Sequence, residues 1–241
     1  MKILDIQNLC IKNNEKTIIE NLDLSIENDK INVLIGSSGS GKTQIAKSIM
    51  KLSELDIQGV IKIKGNEDYK CGKDVALIFQ DFARSLNPVL KIKDQMLGPL
   101  IYHNIYDEKT ALKKIEDMLL KLNLNLDSLE KYPHELSGGQ KQRIVIGIVL
   151  LLQPKIIICD EISSGLDKEN ENYIFDLLKK TNITLLVITH SINVLKNYSD
   201  KIIYLDNGTL KFVGTYKEFL NIDDQYISNI KKLGEIYDKG C

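Results

Sequence analysis

The sequence predicts an α/β fold, a mainly parallel β-sheet with helices on both sides. Three observations carry the prediction. The apolar run Ile31-Asn32-Val33-Leu34-Ile35 leads through the glycine-rich segment Gly36–Thr43 into a helical pattern over residues 42–52. The run Ile156-Ile157-Ile158-Cys159 is continuously apolar, as in a strand buried on both faces, and it ends in Asp160 and Glu161. Further on, apolar strand-like runs at Ile183–Thr189 and 201–205 alternate with helical stretches at 168–180 and 191–198.

Taken in order, residues 2–12 and 17–27 alternate and contain β-branched residues, so both read as strands. Asn13-Asn14 reads as the turn between them. After the 31–35 strand and the 42–52 helix, Gly59–Gly65 reads as a strand closed by a turn. Val75–Phe79 reads as a short buried strand ending at Gln80. From about residue 89 to 153 the period becomes helical, with Leu112, Ile115, Leu119 and Leu122 on one apolar face. That stretch reads as a mostly helical insert. The strands return after Pro154, and residues 216–239 read as a surface helix.

The chain has 241 residues and a net charge of −1. It is long enough for one large domain with a substantial core, and it has no basic field for nucleic acid. Cys10, Cys71, Cys159 and Cys241 are scattered without paired metal spacing and read as free thiols in a reducing compartment. The first residues do not read as a secretion signal. The longest apolar run, Ile144 to Leu152, falls far short of the ~20 residues that span a bilayer. A membrane role would come through a partner chain.

Strand, glycine-rich loop and helix form the context of a phosphate-binding loop. Gly36, Gly39 and Gly41 let the backbone fold around an anion with N–H groups pointing inward, and Ser37, Ser38 and Ser40 complete the loop. The helix that follows adds its positive end. Lys42 is placed to reach the β- and γ-phosphates, and the Thr43 hydroxyl to ligate Mg²⁺. Asp160 and Glu161, at the C-terminal end of a buried strand, occupy the position where α/β sheets bind ligands. Asp160 would hold Mg²⁺ and Glu161 would orient or deprotonate water; a helix-capping acidic pair is the plainer alternative. Leu136-Ser137-Gly138-Gly139-Gln140 is a second glycine-rich turn opening a helix. It reads either as a second phosphate cradle or as a helix start capped by Ser137. Two cradles for one nucleotide make sense if each belongs to a different active site of a dimer.

With these residues in view, the chain resembles an ATP-binding cassette ATPase over nearly its whole length. Gly36–Thr43 resembles the Walker A loop, Gln80 the glutamine loop, and Leu136–Gln140 the family signature. Ile156–Glu161 resembles Walker B with its catalytic glutamate, Ser163-Ser164-Gly165-Leu166-Asp167 the D-loop, and His190 the switch histidine. The resemblance implies a P-loop NTPase (RecA-like) core over about 1–81 and 155–215. It adds an antiparallel β subdomain, a helical subdomain over about 82–154 and a helical tail over about 216–241, within one cassette domain. It also implies ATP and Mg²⁺ as ligands and a head-to-tail dimer, with an identical or a different second ATPase. In that dimer Ser137, Gly138, Gly139 and Gln140 face ATP held on the partner, and Asp167 lies at the seam. Glu161, His190, Lys42 and Gln80 are the catalytic set it implies; Thr43, Gln80 and Asp160 are the metal set.

Phe79–Pro88 and Tyr132–Gly139 are similar to the corresponding regions of peptide and nickel importers. The implied partners are integral membrane permease subunits and an extracellular substrate-binding protein acting through them, with no nucleic acid. The implied location is the cytoplasmic face of the membrane. Three positions depart from the family pattern. Asparagines stand near residue 13 in place of an adenine-stacking aromatic, Ile162 replaces proline, and Gly165 replaces alanine. A soluble cassette ATPase without a transport role, or a regulatory subunit with weak hydrolysis, stays open as an alternative.

Overall fold

The computed structural model describes residues 2–79 and 81–239, without the side chains of Ala83 and of residues 234–239. Gln80 and Cys241, both singled out above, lie outside the described residues. The described residues form two sheets. A three-stranded antiparallel sheet holds β1 (Lys2–Asn13), β2 (Lys16–Glu27) and β4 (Asp56–Ile63) in the order β2-β1-β4. A six-stranded sheet has the order β5-β6-β7-β3-β8-β9. Its strands are β3 (Ile31–Ile35), β5 (Val75–Ile78), β6 (Ile156–Asp160), β7 (Thr184–Ile188), β8 (Lys201–Asp206) and β9 (Thr209–Gly214). All of its pairings are parallel except β8 with β9.

β3 and β7 are buried at every position, as strands covered on both faces must be. One apolar cluster joins Leu4, Leu9, Ile11 and Ile19 of the antiparallel sheet to Ile45 and Ile49 of α1 (Lys42–Ile49) and to one face of the central strands. The other face carries α6 (Lys168–Lys179), α7 (Ile192–Asn197) and the helices of the 82–152 stretch. These last are the short α2 (Phe82–Ser85), α3 (Ile92–Tyr102), α4 (Glu108–Lys121) and α5 (Gly138–Leu152). Ala111, Ile115, Leu119 and Leu122 form the buried stripe of α4, while Leu112 is only half-buried. The apolar run Ile144–Leu152 is the interior of α5, buried among its neighbours.

Two expectations change. Residues 216–239 do not form one surface helix. α8 (Tyr216–Phe219) and α9 (Gln225–Lys239) are separated by a break, and Phe219, Ile227 and Ile230 are buried in the apolar cluster that covers one face of the sheet. Thr215 caps α8 through the Glu218 amide, and Asp224 accepts the amides of Tyr226 and Ile227 where α9 begins, so polar caps divide the stretch. The turn between β1 and β2 is centred on Asn14-Glu15, with β1 running through Asn13.

Candidate active site

β3, β5, β6 and β7 are parallel, so their C-terminal ends lie along one edge of the sheet. The chain leaves β3 at Gly36, β6 at Glu161 and β7 at Thr189-His190, which brings the sequence-predicted groups to that edge. Gly36 has a structural reason to be glycine. A β-carbon there would sit 2.1 Å from the Leu205 carbonyl oxygen. Gly39 and Gly41 adopt φ of +80° and +101°, where a side chain is strained.

Within the loop, Lys42 is folded inward. Its Nζ donates to the carbonyl oxygens of Gly36 and Ser37, each at 2.9 Å, and to Ser40 Oγ at 3.4 Å. Burial lowers the pKa of this ammonium, against the pull of Glu161 and Asp160. Ser38, Gly39 and Thr43 face a cavity of about 610 Å³ that Glu161 and His190 also line. The Thr43 hydroxyl favours the charged form of the Asp160 carboxylate. Burial nevertheless pushes Asp160 above its ordinary pKa, with the neighbouring Glu161 adding to the effect. Hydroxyl and carboxylate together are a hard-oxygen donor pair of the kind Mg²⁺ takes beside phosphate oxygens. The donor chemistry therefore fits that ion.

Glu161 has φ +53°, and its amide donates to the Ile188 carbonyl at 2.9 Å, the last rung between β6 and β7. His190 Nε2 lies 3.6 Å from Glu161 Oε1. Beneath them, Glu171 of α6 is buried, and its Oε2 accepts from Ser191 Oγ at 3.0 Å and Asn193 Nδ2 at 2.8 Å. Ser191 follows His190 directly and caps α7. The two departures near the acids have local accounts. Ile162 is buried, with its carbonyl accepting from Gln142 at 2.7 Å. Gly165 sits at φ +79°, where glycine is unstrained and alanine is not.

The second glycine-rich turn lies elsewhere. Ser137 caps α5 through a reciprocal pair of bonds with Gln140 (Ser137 Oγ from the Gln140 amide, Gln140 Oε1 from the Ser137 amide). Ser137, Gly138 and Gly139 are exposed, and none of residues 137–140 lines the phosphate-loop cavity. Gly139 instead shares a separate cleft of about 250 Å³ with Gly165 and Asp167. Asp167 itself caps α6.

Sequence reasoning missed the other end of the main cavity. Asn207-Gly208 turns β8 into β9, both residues with positive φ, and lines the cavity beside Asn13, Lys16, Thr17 and Ile18. Asn-Gly between alternating runs is a strong hairpin signal and would have revealed β9. Tyr226 of α9, whose hydroxyl reaches Gly36, carried no local signal at all.

Known proteins supply an independent comparison. The ABC transporter family profile matches residues 19–164. An oligopeptide transport ATP-binding protein, OppF of Streptococcus mutans, is 35% identical over 234 residues, covering 90% of this chain and 76% of the relative. A nickel import system ATP-binding protein, NikD of Staphylococcus aureus, is 36% identical over 234 residues, covering 91% and 90%. The dimeric bacterial ABC transporter cassette MJ0796 is 27% identical with a TM-score of 0.76, covering 89% of this chain and 99% of that one. A further structure of that cassette is a post-hydrolysis dimer bound to ADP and Pi. With its phosphate loop, paired acids and histidine converging on one sheet edge of the same fold, the chain belongs to the ABC transporter family as an ATP-hydrolysing cassette.

Proposed function

We propose that the cavity above Gly36–Thr43 holds Mg²⁺-ATP and that its hydrolysis drives a membrane importer of peptides, nickel or metal complexes. The carrying observation is that Lys42, Thr43, Glu161 and His190 line one cavity, with Asp160 beside Thr43 at the end of β6. The loop amides and Lys42 bind the phosphates of the nucleotide. Thr43 and Asp160, with Gln80, would hold the ion, which when bound neutralises charge between the β- and γ-phosphates. Glu161 orients the attacking water and accepts its proton, and His190 stabilises the γ-phosphate.

The separation of Ser137–Gln140 from this cavity supports a head-to-tail dimer. Each signature turn then faces the nucleotide of the partner, with Asp167 at the seam. On this reading residues 1–81 and 155–215 form the nucleotide core, 82–154 the helical arm and 216–241 the tail. A permease would dock beside the arm. Val89 and Tyr102 are 75% and 80% exposed there, and Phe79 opens onto an apolar groove with Leu77, Val145, Ile148 and Val149. Among the described residues no helix is long and apolar enough to cross a membrane, which fits a peripheral subunit on the cytoplasmic face. An extracellular substrate-binding protein would act through the permease.

Glu161→Gln tests the assignment. ATP binding is retained, turnover falls by at least about 100-fold, and the dimer accumulates in the ATP-bound state. Wild-type hydrolysis by that variant in the assembled complex would sink the role of Glu161. A weakly hydrolysing regulatory subunit is the second reading. One observation favours it: among the described residues, no aromatic ring lines the cavity beside Asn13, Lys16, Thr17 and Ile18. Turnover measured on the isolated chain and on the complex separates the two readings.

A further inference from the structure

We infer that Tyr226 is a positioning residue for nucleotide binding: its hydroxyl keeps the Gly36 carbonyl paired when Lys42 leaves that carbonyl for the phosphates. The inference rests on the phosphate-loop reading above. A lysine ammonium has three protons. In this structure they are directed at the Gly36 and Ser37 carbonyls and at Ser40 Oγ. To donate to both the β- and the γ-phosphate, Lys42 must redirect two of these three protons, and the Gly36 carbonyl is among the partners that stand to lose one. An acceptor left buried and unpaired would subtract its desolvation cost from the binding energy.

Both carbonyls already have a second donor. The Ser40 amide donates to the Ser37 oxygen at 3.2 Å, a bond internal to the loop. For the buried Gly36, the second donor is Tyr226 Oη at 3.2 Å, contributed from 190 residues further along the chain. Its position is held from two sides. The Tyr226 ring stacks on Tyr204 of β8, centroids 5.4 Å apart and 5° from parallel. Asp224 Oδ1 accepts the Tyr226 amide at 2.8 Å and the Tyr204 hydroxyl at 3.2 Å, tying the start of α9 to the sheet. Burial raises the Tyr226 pKa, so the hydroxyl stays a donor throughout the neutral range. Tyr226 does not line the cavity, so the tail supports the phosphate loop from outside it.

Tyr226→Phe removes one oxygen and leaves the ring stack. In the full-length chain, calorimetric titration with the β,γ-imido analogue of ATP and Mg²⁺ should show roughly 5- to 30-fold weaker binding, the cost of one orphaned acceptor. In turnover assays the change falls on KM, with kcat at saturating ATP within about twofold, because Tyr226 touches no reacting atom. Its melting temperature without nucleotide should fall by no more than about 3 °C, since Lys42 still pairs Gly36 there. Lys42→Ala, titrated in parallel, separates the two ideas. If Lys42→Ala binds the analogue normally, the phosphate-loop reading fails and takes this inference with it. If Lys42→Ala loses binding while Tyr226→Phe binds within twofold of wild type, the role of Tyr226 alone is overturned. An equal loss in kcat and kcat/KM for Tyr226→Phe also overturns it.

Discussion

Glu171 offers a sharp test of how the catalytic edge is held. It is 8% exposed, in the first turn of α6, and one of its oxygens takes hydrogen bonds from both Ser191 and Asn193. Ser191 caps α7 and follows His190, so Glu171 joins the helix after the D-loop to the histidine turn. In Glu171→Ala both bonds are lost, at about 1–1.5 kcal/mol each. The favourable placement of an acid near a helix start goes too, worth about 0.3–1 kcal/mol. Two effects work against that loss. Removing a buried carboxyl relieves its desolvation, and Asn193 keeps its bond to Asn172 Oδ1 at 2.8 Å. The net cost is about 2 kcal/mol, a fall of roughly 4–8 °C in Tm for a chain of this size. Glu171→Gln keeps an acceptor oxygen in place and should lose less than half as much. Scanning calorimetry on the three proteins, with ATP turnover alongside, reads both effects. Turnover should drop in Glu171→Ala with nucleotide affinity little changed, because the part displaced carries His190 and not the phosphate loop. A Glu171→Ala melting temperature within about 1 °C of wild type, or a Gln variant as damaged as Ala, would refute the reasoning.

Asp160→Asn should raise the melting temperature of the nucleotide-free chain by about 2 °C, because burial already disfavours the charged carboxylate and solvent at the open side screens the rest. The same variant should lose Mg²⁺-dependent hydrolysis, and a fall in Tm would contradict the burial argument. Asp74 behaves in the opposite sense. Burial pushes its pKa up, but Lys155 Nζ at 2.6 Å and the Lys70 amide at 2.8 Å outweigh that and hold it below the ordinary value. Its contribution is therefore present above the unfolded pKa of about 3.9 and disappears as pH falls through the lower folded value. Urea titrations should show Asp74→Asn destabilised by about 1 kcal/mol from pH 5 to 8, with the gap to wild type closing below about pH 4; a gap that persists at pH 3 would rule the linkage out.

What could be read from the sequence follows the range of the forces involved. The loop from Gly36 to Thr43 was legible because φ above zero and close backbone approach leave glycine as the unstrained choice, and the strand and helix beside it confirm the context. The acids after Ile156–Cys159 were legible because a run buried on both faces announces a central parallel strand. Ser137 was read both as a phosphate donor and as a cap, and its hydroxyl here accepts from the Gln140 amide. The boundary of the last helix was not read, because Ile227 and Ile230 are buried in an apolar cluster with residues laid down earlier in the chain. No local period tells an apolar stripe that finds a partner from one that faces water. Tyr226 and Glu171 lay out of reach for the same reason. Their partners stand 190 and 20 residues away, and only the fold brings them together.

Backbone strain adds a separate line of argument about Glu161. Among the described non-glycine residues with positive φ, more than half are asparagines, for which the left-handed region costs little. Glu161 is at φ +53° for no such local reason. Its amide is tied to Ile188, the next residue but one is the buried Ser163, and Ile162 is fixed by Gln142 of α5. A left-handed residue costs roughly 1 kcal/mol or more and persists only where its surroundings over-determine it. Those surroundings are β7 on one side and the helical arm, through Gln142, on the other. The arm that presents the signature turn therefore also holds the turn that aims Glu161 at the cavity. A rotation of α5 relative to the sheet would act on the Gln142–Ile162 bond and hence on the carboxylate proposed to orient water. A movement of the arm with bound nucleotide would in this way reach the turn that carries Glu161 through one buried amide, at 2.7 Å.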